Sequence, residues 1–211
     1  GKLFAQGQAP YPDRPVRLIV PFAAGGGTDI TGRRFAAKLG TVLGQNILVD
    51  NRGGNDGAIG SAQLARAKPD GYTILATNAS FVLASAAFTD LPYDNLRDIA
   101  PVTLLDKHPF LLLVHPSSPF RSTSDYIAYA RAHPEELNFS TSGAGAVTHL
   151  AASLMHNMSN TQVTFIHFKS AAQRLVDLMA GRVHASMTAP ITAVPYMNAG
   201  KMRAIGVTTE N

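Results

Sequence analysis

The sequence predicts an α/β protein made of two lobes. Short β-rich runs alternate with helical stretches along most of the chain, and a glycine-rich loop follows a strand in each half. A proline-rich stretch from Pro92 to Pro109 separates the halves. This alternation is typical of a parallel sheet with helices on both faces and right-handed crossovers. The 211 residues suffice for one large domain or for two of roughly 100 residues each.

The first lobe is predicted over residues 11–105 and begins with a βαβαβ unit. The hydrophobic pattern predicts strands at residues 16–20, 46–50 and 72–76 and helices at residues 29–43 and 58–67. Residues 1–10 show no periodicity, and we interpret them as a tag or the remnant of a signal peptide, because residues 3–6 resemble the end of one. Such a remnant suggests export.

The second lobe is predicted over residues 106–205, and residues 206–211 are expected to begin a return crossing to the first lobe. The pattern predicts strands at residues 110–114, 138–140, 162–166, 185–187 and 202–207 and helices at residues 122–133, 148–158, 173–180 and 191–198. Ser122 and Asp125 have the spacing of a capping box. The residues at helical spacing that are predicted to lie in the core are Leu150, Leu154 and Met158.

Composition and charge exclude several classes of protein. Apolar residues make up 45% of the chain and charged residues 15%, which is typical of a globular protein. Cysteine is absent, so disulfides, thiolate metal sites and cysteine nucleophiles are excluded. The net charge of +4 is scattered, with only Arg33 and Arg34 adjacent, which argues against a nucleic-acid partner. The longest apolar runs are far shorter than the roughly 20 residues of a transmembrane helix.

Two glycine-rich loops are candidate ligand sites. The loop at residues 21–29 follows the first strand and opens the first helix, where open α/β sheets bind ligands and backbone N–H groups can approach an anion. It lacks a phosphate-loop lysine, and Ile30 replaces the last glycine of a dinucleotide motif. A tight turn capped by Asp29 is an equally good interpretation of this loop alone. The loop at residues 140–149 has the same position in the second lobe, so facing lobes would form one anion site.

No catalytic residue, cofactor or metal site is predicted. Ser142 lies outside any G-x-S-x-G motif and has no base at a recognisable spacing. His149 and His156 share a helical face but lie about 10.5 Å apart along the axis, which is too far to bind one ion. We expect both at surface or lining positions. Lys169 follows a predicted strand, so it could reach a ligand carboxylate or remain in solvent.

Eight short runs occur in an order shared with a known family. They are YPDRPVRLIVPF at residues 11–22, GGGTD at 25–29, VDNRGG at 49–54, KPDGYT at 68–73, LPYD at 91–94, APVT at 100–103, TSG at 141–143 and AGKMRA at 199–204. On these runs, which span nearly the whole chain from residue 11, the sequence resembles the Bug-type periplasmic receptors of tripartite tricarboxylate transporters.

The resemblance implies a two-lobed periplasmic-binding-protein fold of the Venus-flytrap type. It implies a periplasmic receptor that delivers a small carboxylate to the membrane subunits of the transporter, without catalysis, cofactor, nucleic acid or membrane insertion. It also implies a monomer in the full-length form. Family members continue beyond the strand at residues 202–207 and return to the first lobe, so that lobe is expected to lack its C-terminal segment here.

The resemblance further implies where the ligand binds. The first-lobe loop should hold one carboxylate, partly through water, residues 77–80 should line the same cleft, and the second-lobe loop should hold the other end of the ligand. The predicted ligand-binding residues are Phe22, Ala24, Gly25, Gly26, Thr28, Asp29, Thr77, Ser80, Ser142, Gly143, Gly145, Thr148, Lys169 and Thr188.

Two departures from the family pattern bear on the ligand. Residues 166–170 read IHFKS where the family has V-P-Y-K-G, and residues 187–189 read MTA where it has F-D-N. The lost aspartate was a natural partner for a ligand amino group, so a carboxylate without an amino group is favoured. The alternative is an α/β enzyme acting on a small carboxylated or phosphorylated metabolite, which would need a base and a nucleophile in the cleft.

Overall fold

The computed structural model describes residues 10–87, 90–168 and 170–209. Within these residues the chain forms two β-sheets, each with its own helices and its own core. The α/β fold with two lobes that the sequence predicts is confirmed.

The first sheet has three parallel strands in the order β2-β1-β3. These are β1 (Val16–Val20), β2 (Ile47–Asn51) and β3 (Thr73–Leu75), and the helices beside them are α1 (Gly27–Leu43), α2 (Ala58–Ala65) and α3 (Ser80–Ala87). A 3₁₀ turn at Asn55–Gly57 precedes α2. Four of the five β1 residues are buried, as expected for the central strand of a parallel sheet. The core beneath it contains Leu18, Val20, Ala36 and Ala76.

The second sheet has five strands in the order β6-β5-β7-β4-β8. They are β4 (Leu111–Val114), β5 (Asn138–Thr141), β6 (Thr164–His167), β7 (Ala185–Thr188) and β8 (Arg203–Val207), and the helices are α4 (Thr123–Ala132), α5 (Val147–Ser159), α6 (Ala171–Met179) and α7 (Pro190–Asn198). β5 is parallel to β6 and β7, whereas β4 runs antiparallel to β7 and β8. Consequently α5, α6 and α7 begin at one end of the sheet, and α4 begins at the other.

The predicted strands and helices are all present, with ends within two residues of the predicted ones. The capping box is confirmed: the Ser122 hydroxyl accepts a hydrogen bond from the Asp125 N–H at 3.1 Å, and the Asp125 carboxylate accepts one from the Ser122 N–H at 3.0 Å. The sequence did not predict α3. Its residues, SFVLASAA, are small or apolar on every side, so the hydrophobic pattern has no polar stripe to reveal a helix.

The prediction that Leu150, Leu154 and Met158 lie in the core is wrong, because they are 39%, 59% and 81% exposed. The buried face of α5 is formed by Thr148, Ala152 and His156 instead. The two rows are offset by two residues, which is about 200° around a helix, so they lie on opposite sides. The row of smaller and polar residues is the one that packs.

His156 is also buried, contrary to the expected surface or lining position. Its Nδ1 lies 2.7 Å from the Thr161 hydroxyl, and its ring packs edge to face against Phe139 and Tyr126. Burial lowers the pKa of His156 to about 4. The imidazole is therefore neutral in the folded protein at neutral pH.

In the described part of the chain, no helix combines the length and the apolar character that a membrane span requires. The same residues contain no group of three or more His, Asp or Glu side chains arranged to hold a metal ion.

The burial of His156 predicts a specific loss of stability in acid. Because its folded pKa is about 4 and an unfolded histidine has a pKa of about 6.5, the unfolded state takes up a proton first as the pH falls below 6.5. Down to pH 4 this should cost the fold up to roughly 3 kcal/mol. Urea denaturation of wild type and His156→Gln at pH 7, 5.5 and 4 measures it.

The variant should lose some stability at pH 7, since the contact with Thr161 changes, but should show a flatter pH dependence than wild type. His133→Gln, which alters a partly exposed histidine, is the matched control and should keep the wild-type slope. An unchanged slope in His156→Gln would contradict the assignment.

Candidate functional site

Helices from both sheets begin in one region between the lobes. The Ser80 hydroxyl at the start of α3 accepts a hydrogen bond from the Val147 N–H at the start of α5, at 3.4 Å. A Cβ atom placed on Gly26 would lie 4.0 Å from the Cβ of Ala171 in α6, and one on Gly27 would lie 3.6 Å from the Thr192 Oγ1 in α7. We call this region the interlobe boundary, and it is formed by Gly26, Gly27, Ser80, Val147, Ala171 and Thr192.

Three of the helices at the interlobe boundary begin without a capping side chain. The N-cap residues of α1, α5 and α7 are Gly26, Ala146 and Ala189, and none makes a side-chain cap hydrogen bond. The first four N–H groups of a helix have no partner inside it, and the helix dipole makes their surroundings positive. The Val147 N–H at the start of α5 already donates to the Ser80 hydroxyl, and Pro190 at the start of α7 has no N–H. The other first-turn N–H groups of these helices have no capping side chain, so they could bond a negatively charged group at this boundary.

Two threonine hydroxyls near the boundary are buried without a hydrogen-bond partner in the described residues. They are Thr77 Oγ1, in the loop between β3 and α3, and Thr192 Oγ1, in the first turn of α7. Buried hydroxyls are normally hydrogen-bonded, so these two are available to a further partner. The sequence predicted Thr77 as a site residue but missed Thr192. The feature of the sequence that could have indicated Thr192 is Pro190, which marks a helix start two residues earlier.

The first-lobe loop is held in shape by Asp29. This side chain is 2% exposed; its carboxylate accepts hydrogen bonds from the Gly25 N–H at 2.9 Å, the Arg33 Nε at 3.0 Å and the Asn51 Nδ2 at 2.9 Å. Burial by itself raises the pKa of Asp29, but these hydrogen bonds outweigh it and hold the pKa below its usual value. Asp29 was predicted to bind ligand, and in the structure its carboxylate accepts three hydrogen bonds that hold the loop in shape.

Asparagine side chains link this loop to its neighbours, and the sequence did not single them out. Asn51, at the end of β2, also donates to the Phe22 carbonyl at 3.0 Å. Asn78 donates to the Thr28 hydroxyl at 3.0 Å and accepts from the Ser80 N–H at 2.9 Å. Thr28 and Ser80, both predicted site residues, are thereby fixed to each other through one amide.

The second-lobe loop is held by its own helix. The Ser142 N–H donates to the Thr148 hydroxyl at 3.1 Å, and the Gly145 N–H donates to His149 Nδ1 at 3.1 Å. Burial, and to a lesser extent the neighbouring His167, lowers the pKa of His149, in keeping with an unprotonated Nδ1 that accepts this bond. Of the predicted residues here, Thr148 is buried and Ser142, Gly143 and Gly145 are partly exposed.

Glycine is required by backbone geometry at three predicted positions. Gly25 has φ +81°, Gly143 has φ +149° and Gly145 has φ +85°, all of which residues with side chains rarely adopt. Gly26 has an ordinary extended backbone with φ −78°. An added Cβ there would make only normal contacts, so any intolerance of Gly26 to substitution must come from the ligand or the opposite lobe.

The remaining predicted residues lie at varied positions. Ala24 is exposed, Thr188 is buried as the last residue of β7, and Lys169 lies outside the described residues. Phe22 is partly buried and packs against the first core, and its ring faces Gly57. A groove of about 650 Å³ lies elsewhere, between α1 and β2, lined by residues that include Arg33, Gly40 and Ile47. It lacks the converging helix starts of the interlobe boundary.

Asp56 is an acidic group near the boundary that the sequence did not indicate. It lies in the 3₁₀ turn with φ +50°. Burial raises its pKa, and the hydrogen bond with the Ser80 hydroxyl offsets this only in part. When ionised, Asp56 is an unfavourable neighbour for an anion.

Asp29 and Asp56 should respond oppositely to neutralisation at pH 7. Asp29→Asn replaces an acceptor of three donors by an amide and should lower the free energy of unfolding by about 2–4 kcal/mol. Asp56→Asn should leave the free energy of unfolding at pH 7 unchanged or raise it. Ionising a carboxyl group whose folded pKa is raised destabilises the fold above that pKa, and this cost disappears below the ordinary carboxyl pKa of about 4. Urea denaturation at pH 7 and pH 4 measures both. Equal destabilisation by the two variants at pH 7 would contradict these roles.

Comparison with known proteins places the chain in a family. Residues 31–211 match the tripartite tricarboxylate transporter family receptor, TctC. Protein BugT of Bordetella pertussis is 33% identical over 199 residues, which are 93% of this chain and 61% of BugT. The chain spans about three fifths of the length of the curated relatives that it matches.

Solved structures agree with the sequence matches. R. palustris Rpa4515, solved with adipate, is 36% identical with a TM-score of 0.91, and the match covers 95% of this chain and 68% of that one. MatC from Rhodopseudomonas palustris, solved with bound malate, is 30% identical with a TM-score of 0.83 over 95% of this chain and 69% of that one. The chain therefore belongs to the TctC or Bug family of tripartite tricarboxylate transporter receptors, which are periplasmic binding proteins and not enzymes.

Proposed function

We propose that the chain is the ligand-binding part of a monomeric receptor that holds a small carboxylate between two lobes and delivers it to transporter membrane subunits. The lobes comprise residues 11–105 and 106–205, and residues 206–211 begin the return crossing. The observation that supports this most is the set of uncapped helix starts from both sheets at the interlobe boundary. The delivery step rests on the family to which the chain belongs.

The donors at the boundary are sufficient for useful affinity. A hydrogen bond to a charged group contributes about 1.5–3 kcal/mol, so four of them to a carboxylate give roughly 6–12 kcal/mol before ordering costs. Micromolar binding needs about 8 kcal/mol. Backbone N–H groups and the hydroxyls of Thr77 and Thr192 can thus hold a carboxylate without a metal ion.

Plain carboxylates are favoured over amino acids. Asp29, which could have received a ligand ammonium, is already bonded to three donors. Two relatives of at least 30% identity were solved with adipate and with malate, both dicarboxylates without an amino group. Asp56 is the acidic group near the boundary that could still attract an ammonium, so amino acids belong in the binding test.

Binding without turnover also fits the second-lobe loop better than catalysis does. Within the described residues no hydrogen bond joins the Ser142 hydroxyl to a histidine or to any other base. The loop hydrogen bonds instead arrange backbone groups. An enzyme on the same fold would need a general base in reach of a nucleophile.

Malate, succinate or adipate should raise the melting temperature of the protein, whereas ATP and glutamate should not. A ligand at a hundredfold excess over its Kd adds about 2.7 kcal/mol. For a chain of this size that corresponds to roughly 5–10 °C. Thermal denaturation followed by calorimetric titration measures it, and a shift by ATP or glutamate with none by any plain carboxylate would refute the proposal.

Ser80→Ala should weaken the binding of the best carboxylate roughly three- to tenfold, because it removes the contact between α3 and α5 that favours the closed lobes. The control is Ser85→Ala, the same substitution on the same helix. Ser85 is exposed, and its hydroxyl donates a hydrogen bond to the Val82 carbonyl. Its affinity should equal that of wild type.

A further inference from the structure

Arg174 is a buried cation without a buried counterion. It lies in the second turn of α6 and is 1% exposed, the largest of the fully buried side chains. Its Nη1 donates to the Met187 carbonyl at 2.6 Å, whereas its Nε has no acceptor among the described residues. In the part of the chain that the structure describes, no carboxylate lies within 4 Å of its guanidinium.

Burying an unpaired charge destabilises the folded protein, so the position of Arg174 needs an explanation. A charge removed from water is tolerated in proteins chiefly when it is paired. Burial lowers the pKa of Arg174 to about 10, which still leaves the group protonated at neutral pH. The folded second lobe therefore contains a positive charge that the lobe itself does not neutralise.

The elements that hold Arg174 lead directly to the interlobe boundary. Ala171 lies three residues earlier on the same face of α6 and is the residue nearest to Gly26 in that helix. Met187 is followed two residues later by Ala189, whose Cβ would lie 3.7 Å from one placed on Gly27. The guanidinium is thus bonded to β7 two residues before the N-cap residue of α7, and the helix that carries it meets the boundary at Ala171.

We infer that Arg174 is a specificity-determining residue of the carboxylate site, and that its charge makes the receptor prefer dicarboxylates to monocarboxylates. This rests on the proposed function of the same boundary. Backbone N–H groups recognise one carboxylate much like another, so by themselves they discriminate poorly between a monocarboxylate and a dicarboxylate. A buried guanidinium attracts each additional negative charge, by roughly tenfold in affinity for a separation of about 10 Å at an effective dielectric of about 20.

The test compares ligands that differ by one charge at nearly constant shape. Malate, succinate and adipate are each titrated against their monoamides, with wild type, Arg174→Met, Arg174→Gln and Arg174→Lys. Arg182→Met is the matched control, because it removes the same charge from an exposed residue that pairs with Asp177. Unliganded melting temperatures are measured for every variant.

Wild type should prefer the dicarboxylate over its monoamide, and Arg174→Met should lose roughly tenfold in dicarboxylate affinity while the monoamide changes less than threefold. Arg174→Lys should retain most of the preference, and Arg182→Met all of it. The unliganded Arg174→Met should melt at or above the wild-type temperature, because a buried unpaired charge is removed.

A purely structural role predicts a different pattern. Lower melting temperatures in both Arg174→Met and Arg174→Gln, with equal losses for dicarboxylates and monoamides, would assign the residue to the fold and overturn the inference. An unchanged preference in Arg174→Met, with wild type binding dicarboxylates, would overturn the inference alone. If wild type bound no carboxylate, the proposed function would fail and the inference with it.

Discussion

The unpaired N–H groups at helix starts are the constraint on which this structure depends. Parallel strands place the starts of the following helices at one edge of each sheet, and a helix start needs an acceptor from somewhere. At the opposite edge of the second sheet, α4 has its own acceptors in Ser122 and Asp125. At the interlobe boundary, α1, α5 and α7 begin with Gly26, Ala146 and Ala189, which have none. Apart from the Val147 N–H, which Ser80 accepts, several first-turn donors thus have no side-chain acceptor where the two lobes meet, and an anion would suit them.

The loops around these donors are held in shape by hydrogen bonds to side chains. The Asp29 carboxylate accepts three hydrogen bonds at the first loop, and the Asn78 amide bonds both Thr28 and Ser80. In the second loop, His149 accepts a hydrogen bond from a backbone N–H. These bonds are formed before any ligand binds, so less ordering is left to be done during binding. In a site of this kind, positioned backbone groups supply the affinity. Charged side chains hold the loops in shape or, as inferred for Arg174, determine which ligand is preferred.

The sequence predicted the elements and both loops well, because strand and helix periods are local properties. It placed the start of the first helix at residue 29 instead of Gly27, and this small error hid the fact that the helix is uncapped. The contact of Ser80 with Val147 and the burial of Arg174 arise between segments distant in sequence, so no local pattern shows them. On α5 the row with Leu150 is more apolar than the row with Thr148, yet the latter packs, since the fit of small side chains against the sheet outweighed hydropathy.

The central claim is that a carboxylate binds to helix starts from both lobes at once. A crystal structure of the protein with the dicarboxylate that raises its melting temperature most tests this directly. The account predicts carboxylate oxygens within about 3.2 Å of backbone N–H groups in the first turns of both α1 and α5 or α7, with Thr77 or Thr192 donating as well. A ligand found only in the groove between α1 and β2, or bonded to one lobe alone, would contradict it.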